Sequence, residues 1–203
     1  MAEATTPTRI TLGSGNLYIK LFEGTVPELD TITTAENMLG YISGGATLEY
    51  KPEFYEAKDD LGRVSKTIIT SEEATLKSGI MTFNGNVLNK LCDTARVSED
   101  TENHTRKVLI GGINNAKQER YVIVFEHIDK IDGNIWVVIV GQNQSGFSLA
   151  FAKDKETVID AEFKALPQDD DGTLIQYIEA DNTITAAATL KETTSQKTTN
   201  GSK

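Results

Sequence analysis

Two histidines, one cysteine, serines beside glycine such as Ser14 and Ser145, and a few carboxylate clusters are the groups in this chain that could carry acid–base, nucleophilic or metal chemistry. His104 falls in a polar stretch and His127 near the end of an apolar run. Neither stands at metal-ligand spacing from the other or from a carboxylate–thiol cluster. Cys92 has no second cysteine to pair with, which excludes an internal disulfide and a multi-cysteine metal site. It lies on an apolar stripe and reads as a structural thiol.

A nucleophile elbow needs glycines two residues either side of its serine, and neither Gly13-Ser14-Gly15 nor Ser145-Gly146 provides them. Gly13-Ser14-Gly15 also opens like a phosphate-binding loop, but the third glycine, the following helix and the lysine are missing. Asp169-Asp170-Asp171-Gly172 invites a calcium reading. With Gly172 at the loop glycine, Pro167 takes the first ligand position and Ile178 the twelfth, where a bidentate glutamate is required, so an acidic turn between strands is expected. Glu72-Glu73 and similar pairs have lysines nearby and read as solvated faces. No catalytic residue, metal or cofactor is expected. Three Asn-x-Ser/Thr triplets, at Asn103, Asn143 and Asn200, are expected to be chance matches.

The elements that would position these residues are mostly strands. Gly15 to Phe22 alternates, with Leu17, Ile19 and Leu21 on one face. Residues 23 to 45, with Pro27, Gly40 and Gly44-Gly45, read as a loop packed on the core. Ala46 to Tyr55 places Leu48, Tyr50 and Phe54 opposite Thr47, Glu49, Lys51 and Glu53. A turn at Asp59 to Gly62 leads into Arg63 to Phe83, forming a long hairpin whose charged distal part, Phe54 to Thr67, is expected to project. Asn84 to Arg96 is the one expected helix, with Val87, Leu88, Leu91, Cys92 and Ala95 along one stripe. A polar linker, Ser98 to His104, is followed by expected strands at 105–111, 120–128, 134–141, 145–151, 158–166 and 173–180. Trp136, amid Ile135, Val137 and Val138, is expected in the core. The fold class is therefore mainly β: a single β-sandwich or barrel domain over 13–181, with one flanking α-helix and a long projecting β-hairpin. A Thr-rich N-terminal arm (1–12) and a flexible Thr-rich tail (182–203) flank it.

Composition narrows the function classes. The 203 residues are 38% hydrophobic and 25% charged, as in globular proteins. The formal charge of −10 disfavours general affinity for nucleic acid or anionic membranes. It suits a wall past which a polyanion slides. Met1 to Arg9 lacks the apolar core of a secretory signal and no run reaches membrane-span length, so cytosol-like conditions are expected.

The order of motifs then points to a family. Gly13-Ser14-Gly15-Asn16-Leu17-Tyr18, the Gly-Gly within Asn37 to Tyr50, and Lys66-Thr67-Ile68-Ile69-Thr70-Ser71-Glu72-Glu73 come first. Asn86-Val87-Leu88-Asn89-Lys90-Leu91, Phe163-Lys164-Ala165-Leu166-Pro167 and Gly172-Thr173-Leu174 follow. Taken together, this order resembles the tail tube proteins, or major tail proteins, of long-tailed bacteriophages.

The resemblance implies a structural subunit, not an enzyme, that forms stacked hexameric rings through which the genome is ejected. It implies assembly in the bacterial host cytoplasm and residence in the virion tail. Implied partners are further copies of the chain, the tail terminator, tip and tape-measure proteins, and phage DNA transiently in the lumen, without direct membrane binding. Carried onto this chain, the ring-stacking residues would be Phe54, Tyr55, Glu56, Asp59, Asp60, Leu61 and Arg63, with Arg9 and Ile10 of the arm. The lumen would be lined by Glu49, Glu53, Glu73, Thr75 and Lys77. The alternatives are the inner tube of a contractile injection machine, a β-sandwich ligand-binding or adhesion module, and an enzyme with a scattered site.

Overall fold

The computed structural model describes residues 11, 13–61 and 63–181. The arm residues Arg9 and Ile10, most of the arm around them, and the tail from 182 onward lie outside the described residues.

The strands are β1 (Gly15–Leu21), β2 (Met38–Gly40), β3 (Ile42–Lys58), β4 (Ser65–Ile80), β5 (Arg96–Asp100), β6 (Thr105–Leu109), β7 (Tyr121–His127), β8 (Ile135–Asn143), β9 (Ile159–Leu166) and β10 (Ile175–Glu179). One eight-stranded antiparallel sheet runs β2-β1-β7-β8-β9-β4-β3, with β10 paired to β8; β5 and β6 form a separate ribbon. β8 explains the fork. Its last residues, Val140 to Asn143, pair with β9, and Ile135 to Ile139 pair with β10.

Alternation sorts the side chains onto two faces. Leu17 and Ile19 from one end of the sheet join Ile123, Ile139, Phe163 and Leu76 in a single cluster, so the sheet curls around its main core. The helix α2 (Gly85–Leu91) closes that core with Val87 and Leu91. Asn84 caps it, accepting from the backbone N–H groups of Asn86 and Val87, which satisfies two of the helix's unpaired donors. On the other face Tyr18, Val122, Val124, Val138 and Val140 form a second core beneath Ile32. The edges meet near Gly40. A Cβ there would lie 2.2 Å from the Thr82 carbonyl oxygen, so glycine alone allows this approach. Tyr41 N–H donates to Thr82 Oγ1 (2.7 Å) across the same seam.

Several expectations need correction. Residues 23–45 contain a one-turn helix, α1 (Leu29–Ile32), a 3-10 turn at Ala35–Asn37, β2, and the start of β3. Among the described residues there are thus two short α-helices, and α1 exists because Leu29 and Ile32 cover the second core. The Gly44-Gly45 pair is absorbed as a bulge within β3, both residues having positive φ. The expected linker 98–104 instead belongs to the β5–β6 ribbon, whose turn is held by Asp100 accepting from the N–H groups of Glu102 and Asn103. Helix α2 stops at Leu91, because Cys92 is already extended.

The expected strand 145–151 does not form. Asn143 donates to the Leu91 and Gly146 carbonyls and accepts from Glu162 N–H, turning the chain off the ladder. Phe147 and Leu149 still pack on the core, which accounts for the alternating pattern without a strand. Trp136 is only partly buried, its indole N–H donating to Glu126 (3.1 Å).

Candidate assembly surface

Beyond Tyr50 and Ala74 the hairpin of β3 and β4 leaves the body, because β9 accompanies β4 only from Thr75 to Ile80. Among the described residues the distal strands are paired only with each other. They are also rich in exposed apolar side chains: Phe54, Tyr55, Leu61, Val64, Ile68 and Ile69 all lie there. Sequence alternation alone would set Phe54 against Thr70. An extra residue on β4 shifts the register, so Phe54 opposes Ile69 and Tyr55 opposes Ile68. The freed Thr70 hydroxyl donates to the Glu53 carbonyl. Apolar rungs result on both faces of the ribbon, Phe54–Ile69 on one and Tyr55–Ile68 on the other.

The tip is ordered by local polar contacts. Asp59 Oδ1 accepts from Val64 N–H (2.8 Å), and this bond holds the Asp59 carboxyl below the usual aspartate range. Asp59 N–H donates to the Val64 carbonyl (3.1 Å), and Lys58 pairs with Glu56 (2.9 Å). Phe54, Tyr55, Glu56, Asp59, Asp60, Leu61 and Arg63, the expected stacking residues, are all exposed and share this projection. Sequence reasoning missed Val64, Ile68 and Ile69. Two adjacent isoleucines in a strand suggest one buried and one exposed, and nothing local announces a ribbon with neither face covered.

At the hairpin base the odd positions of β3 and β4 lie on one face with the even positions of β9. Glu49 bridges Lys51 (2.8 Å) and Lys77 (3.7 Å), Lys77 reaches Glu162 (3.5 Å), and Lys164 pairs with Glu73 (3.3 Å). The Lys51 hydrogen bond, helped by Lys77, holds the Glu49 carboxyl below the usual range. Glu53 accepts from the Ser71 hydroxyl (2.6 Å). On the opposite face, Tyr50 donates to Glu72, and that bond pushes its phenol up.

Glu53, Glu73 and Lys77, three of the residues expected to line a lumen, are therefore exposed on one charged face, with Glu49 half-buried beside them. Thr75 is not, and this is a correction: it belongs to the row but is only 5% exposed. It opposes Glu49 on one side and Lys164 on the other, so the longer side chains of the central strand's neighbours cover it. Sequence reasoning also missed Glu162 and Lys164. The alternation of β9 was visible, but its place beside β4 depends on a pairing across some ninety intervening residues, which no local pattern encodes.

The groups considered for chemistry lie apart. His127 is buried, with Nδ1 3.0 Å from the Ser14 carbonyl, whereas His104 sits in an exposed turn at φ 49°. Burial pushes the Cys92 thiol up, away from reactivity. Among the described residues no group of three or more His, Cys, Asp or Glu side chains converges as a metal site would, and no helix is long and apolar enough to cross a membrane. Asp169 works as a turn former, accepting from Thr173 N–H (2.8 Å).

Set against protein-family models and curated protein sequences, the chain matches none of them.

Proposed function

We propose that this chain is the repeating subunit of a phage tail tube, a structural protein whose hexameric rings stack into a conduit for DNA. The observation that carries the reading is the distal hairpin: six large apolar side chains exposed on a ribbon without cover from the described residues of its own subunit. Exposed apolar surface on a long strand edge is an aggregation hazard in a monomer and an asset in an assembly that buries it. The order of motifs from Gly13 to Leu174 and the curled antiparallel sheet agree with the tube family. The charged face at the hairpin base suits a lumen, because each of its lysines is already engaged by a carboxylate and has less charge to offer passing phosphates.

In this mechanism strand edges pair across neighbouring subunits to close the ring, and the distal hairpin and the N-terminal arm engage the adjacent ring. Assembly takes place in the host cytoplasm and the product resides in the virion. Negative-stain electron microscopy of purified protein across concentration and salt tests the reading. Hollow tubes or six-fold rings support it, and deletion of residues 56 to 62 is expected to leave a folded subunit that cannot lengthen tubes. Wild-type polymerisation by the deletion variant would remove the hairpin from the mechanism. Co-purification of a sheath protein would assign the tube to a contractile machine.

A second reading rests on a cavity of about 610 Å3 between the 145–158 loop and the sheet, lined by Ser43, Phe147, Ala150, Lys155, Val158 and Asp160. A ligand-binding module of this kind would stay monomeric under every condition.

A further inference from the structure

The last turn of α2 and the approach to β7 bring together an amine, an amide and a carboxylate. Lys117 Nζ donates to Asn89 Oδ1 (2.9 Å), and Glu119 Oε2 lies 3.9 Å from the same amine. An ordinary ion pair would hold the lysine on the carboxylate, whereas here the shorter contact is to the amide. An ammonium only donates, so the Asn89 atom facing it is the amide oxygen. With a C=O bond of about 1.2 Å, Nζ lies at most about 4.1 Å from Asn89 Cγ, little beyond the roughly 3–3.5 Å of a near-attack pair.

The cluster is held from several sides. Lys117 N–H donates to the Asp93 carbonyl (3.2 Å), the Gln142 side chain donates to the Glu119 carbonyl, and the Tyr121 hydroxyl donates to Glu119 Oε2 (2.6 Å). Gln118, between the amine and the carboxylate, takes φ 55°, a left-handed shape uncommon outside glycine. Asn89, Glu119 and Tyr121 line, with Lys90 and Leu91, a space of only about 10 Å3, which holds no more than one water. Burial pushes the Lys90 amine down and the Tyr121 phenol up, as follows where water is scarce.

We infer that Lys117 and Asn89 become joined by a side-chain amide bond, formed once per chain after folding, with Glu119 carrying the protons. Glu119 takes a proton from the Lys117 ammonium, through a small rotation or one bridging water. The freed Nζ electron pair attacks Asn89 Cγ, and the new C–N bond forms as the carbonyl pair moves onto Oδ1. That pair then returns and the Cγ–Nδ2 bond breaks. Glu119 passes both protons lost by Nζ to the departing nitrogen, which leaves as ammonium, and Glu119 ends ionised as it began. The Lys117 side chain is 25% exposed, which gives the ammonium a way out. The bond closes residues 90 to 116 into a loop. That stretch holds the β5–β6 ribbon, which shares no ladder with the main sheet, so a tie at its base limits how far it can open. The inference is independent of the tube reading.

Mass spectrometry of the full-length chain, incubated folded at neutral pH and then denatured, tests it. With or without Met1, the wild-type chain should weigh about 17 Da less than its sequence, the mass of one ammonia. A protease digest should yield a branched peptide joining the segments around Asn89 and Lys117. Lys117→Arg, which keeps the charge, and Asn89→Ala should both show the full mass, with circular dichroism reporting their fold. Glu119→Gln should lower the linked fraction at least about tenfold after equal incubation. The full sequence mass in the folded wild-type chain would overturn the inference whatever the variants do. So would the same mass loss without a branched peptide, traced by hydroxylamine cleavage to a succinimide at Asn84-Gly85 or another asparagine. Linking indifferent to Glu119→Gln would overturn the part given to Glu119.

Discussion

Replacing Phe54 and Ile69 by threonine tests whether the distal hairpin is an assembly element. Threonine keeps the β-branched or strand-compatible character of the ribbon while removing its apolar rung. Phe54 is 60% exposed and Ile69 52%, so about half of each side chain remains to be covered by a neighbour. Full burial of such side chains contributes about 1.5–3 kcal/mol each, so covering the remaining half contributes roughly 1–1.5 kcal/mol per residue, or about 2.5 kcal/mol for the pair. At about 1.4 kcal/mol per factor of ten, the critical concentration for polymer growth should rise about 60-fold. The subunit itself should lose little, on the order of 0.5 kcal/mol, because the rung touches no core residue. Sedimentation of polymer against total protein gives the first quantity and urea unfolding of the dispersed subunit the second. A critical concentration unchanged within a factor of about three would refute the reasoning from exposed area. So would a loss of stability of core size, since it would show that the hairpin is needed for folding.

Other perturbations separate fold from function. Phe163→Ala, at a side chain only 1% exposed in the main core, should cost about 3–5 kcal/mol by urea unfolding. Gly40→Ala should cost at least about 1–3 kcal/mol in the same assay, because its Cβ would meet the Thr82 carbonyl and the backbone lies at positive φ. Asn84→Ala should remove about 1 kcal/mol by uncapping α2. The Asp59 carboxyl, held down by the Val64 N–H, should titrate below the ordinary 3.8 when followed through the Val64 amide resonance. Because its folded value is depressed, its contribution to tip order is present above pH 3.8 and is lost as pH falls through the folded value.

What the sequence revealed and what it hid divide along the range of the interactions. β1 and β9 are legible because they alternate, each residue's face following from its neighbours two positions away, and β7 and β8 because an unbroken apolar run suits a strand covered on both faces. The Asn84 cap and the Asp59 turn are legible because they too depend on residues a few positions away. The 145–151 segment fails as a strand because Asn143 takes the chain off the ladder. Packing of Phe147 and Leu149 gives the same alternating signal as a strand would. β6 matches the strand expected at 105–111, but its partner β5 escapes notice because its exposed, charged residues leave almost no apolar period. At the candidate surface, local patterning finds Phe54, Tyr55 and the tip, whereas Thr75's burial and the roles of Glu162 and Lys164 follow from three strands lying side by side.

The extra residue at Thr70 has a mechanical consequence. With one apolar rung facing each way, the ribbon would act in the proposed tube as a tenon gripped from two sides instead of a tile laid on a surface. Held between two adjacent subunits of the next ring, such a tenon would fix rotation as well as spacing, and the angular offset from ring to ring would depend on this one register shift. In the unshifted register, with no bulge at Thr70, Phe54 would oppose Thr70 and Tyr55 would oppose Ile69, leaving one mixed rung and one apolar rung. A tube built from such subunits would be expected to lose torsional stiffness before it lost the ability to form.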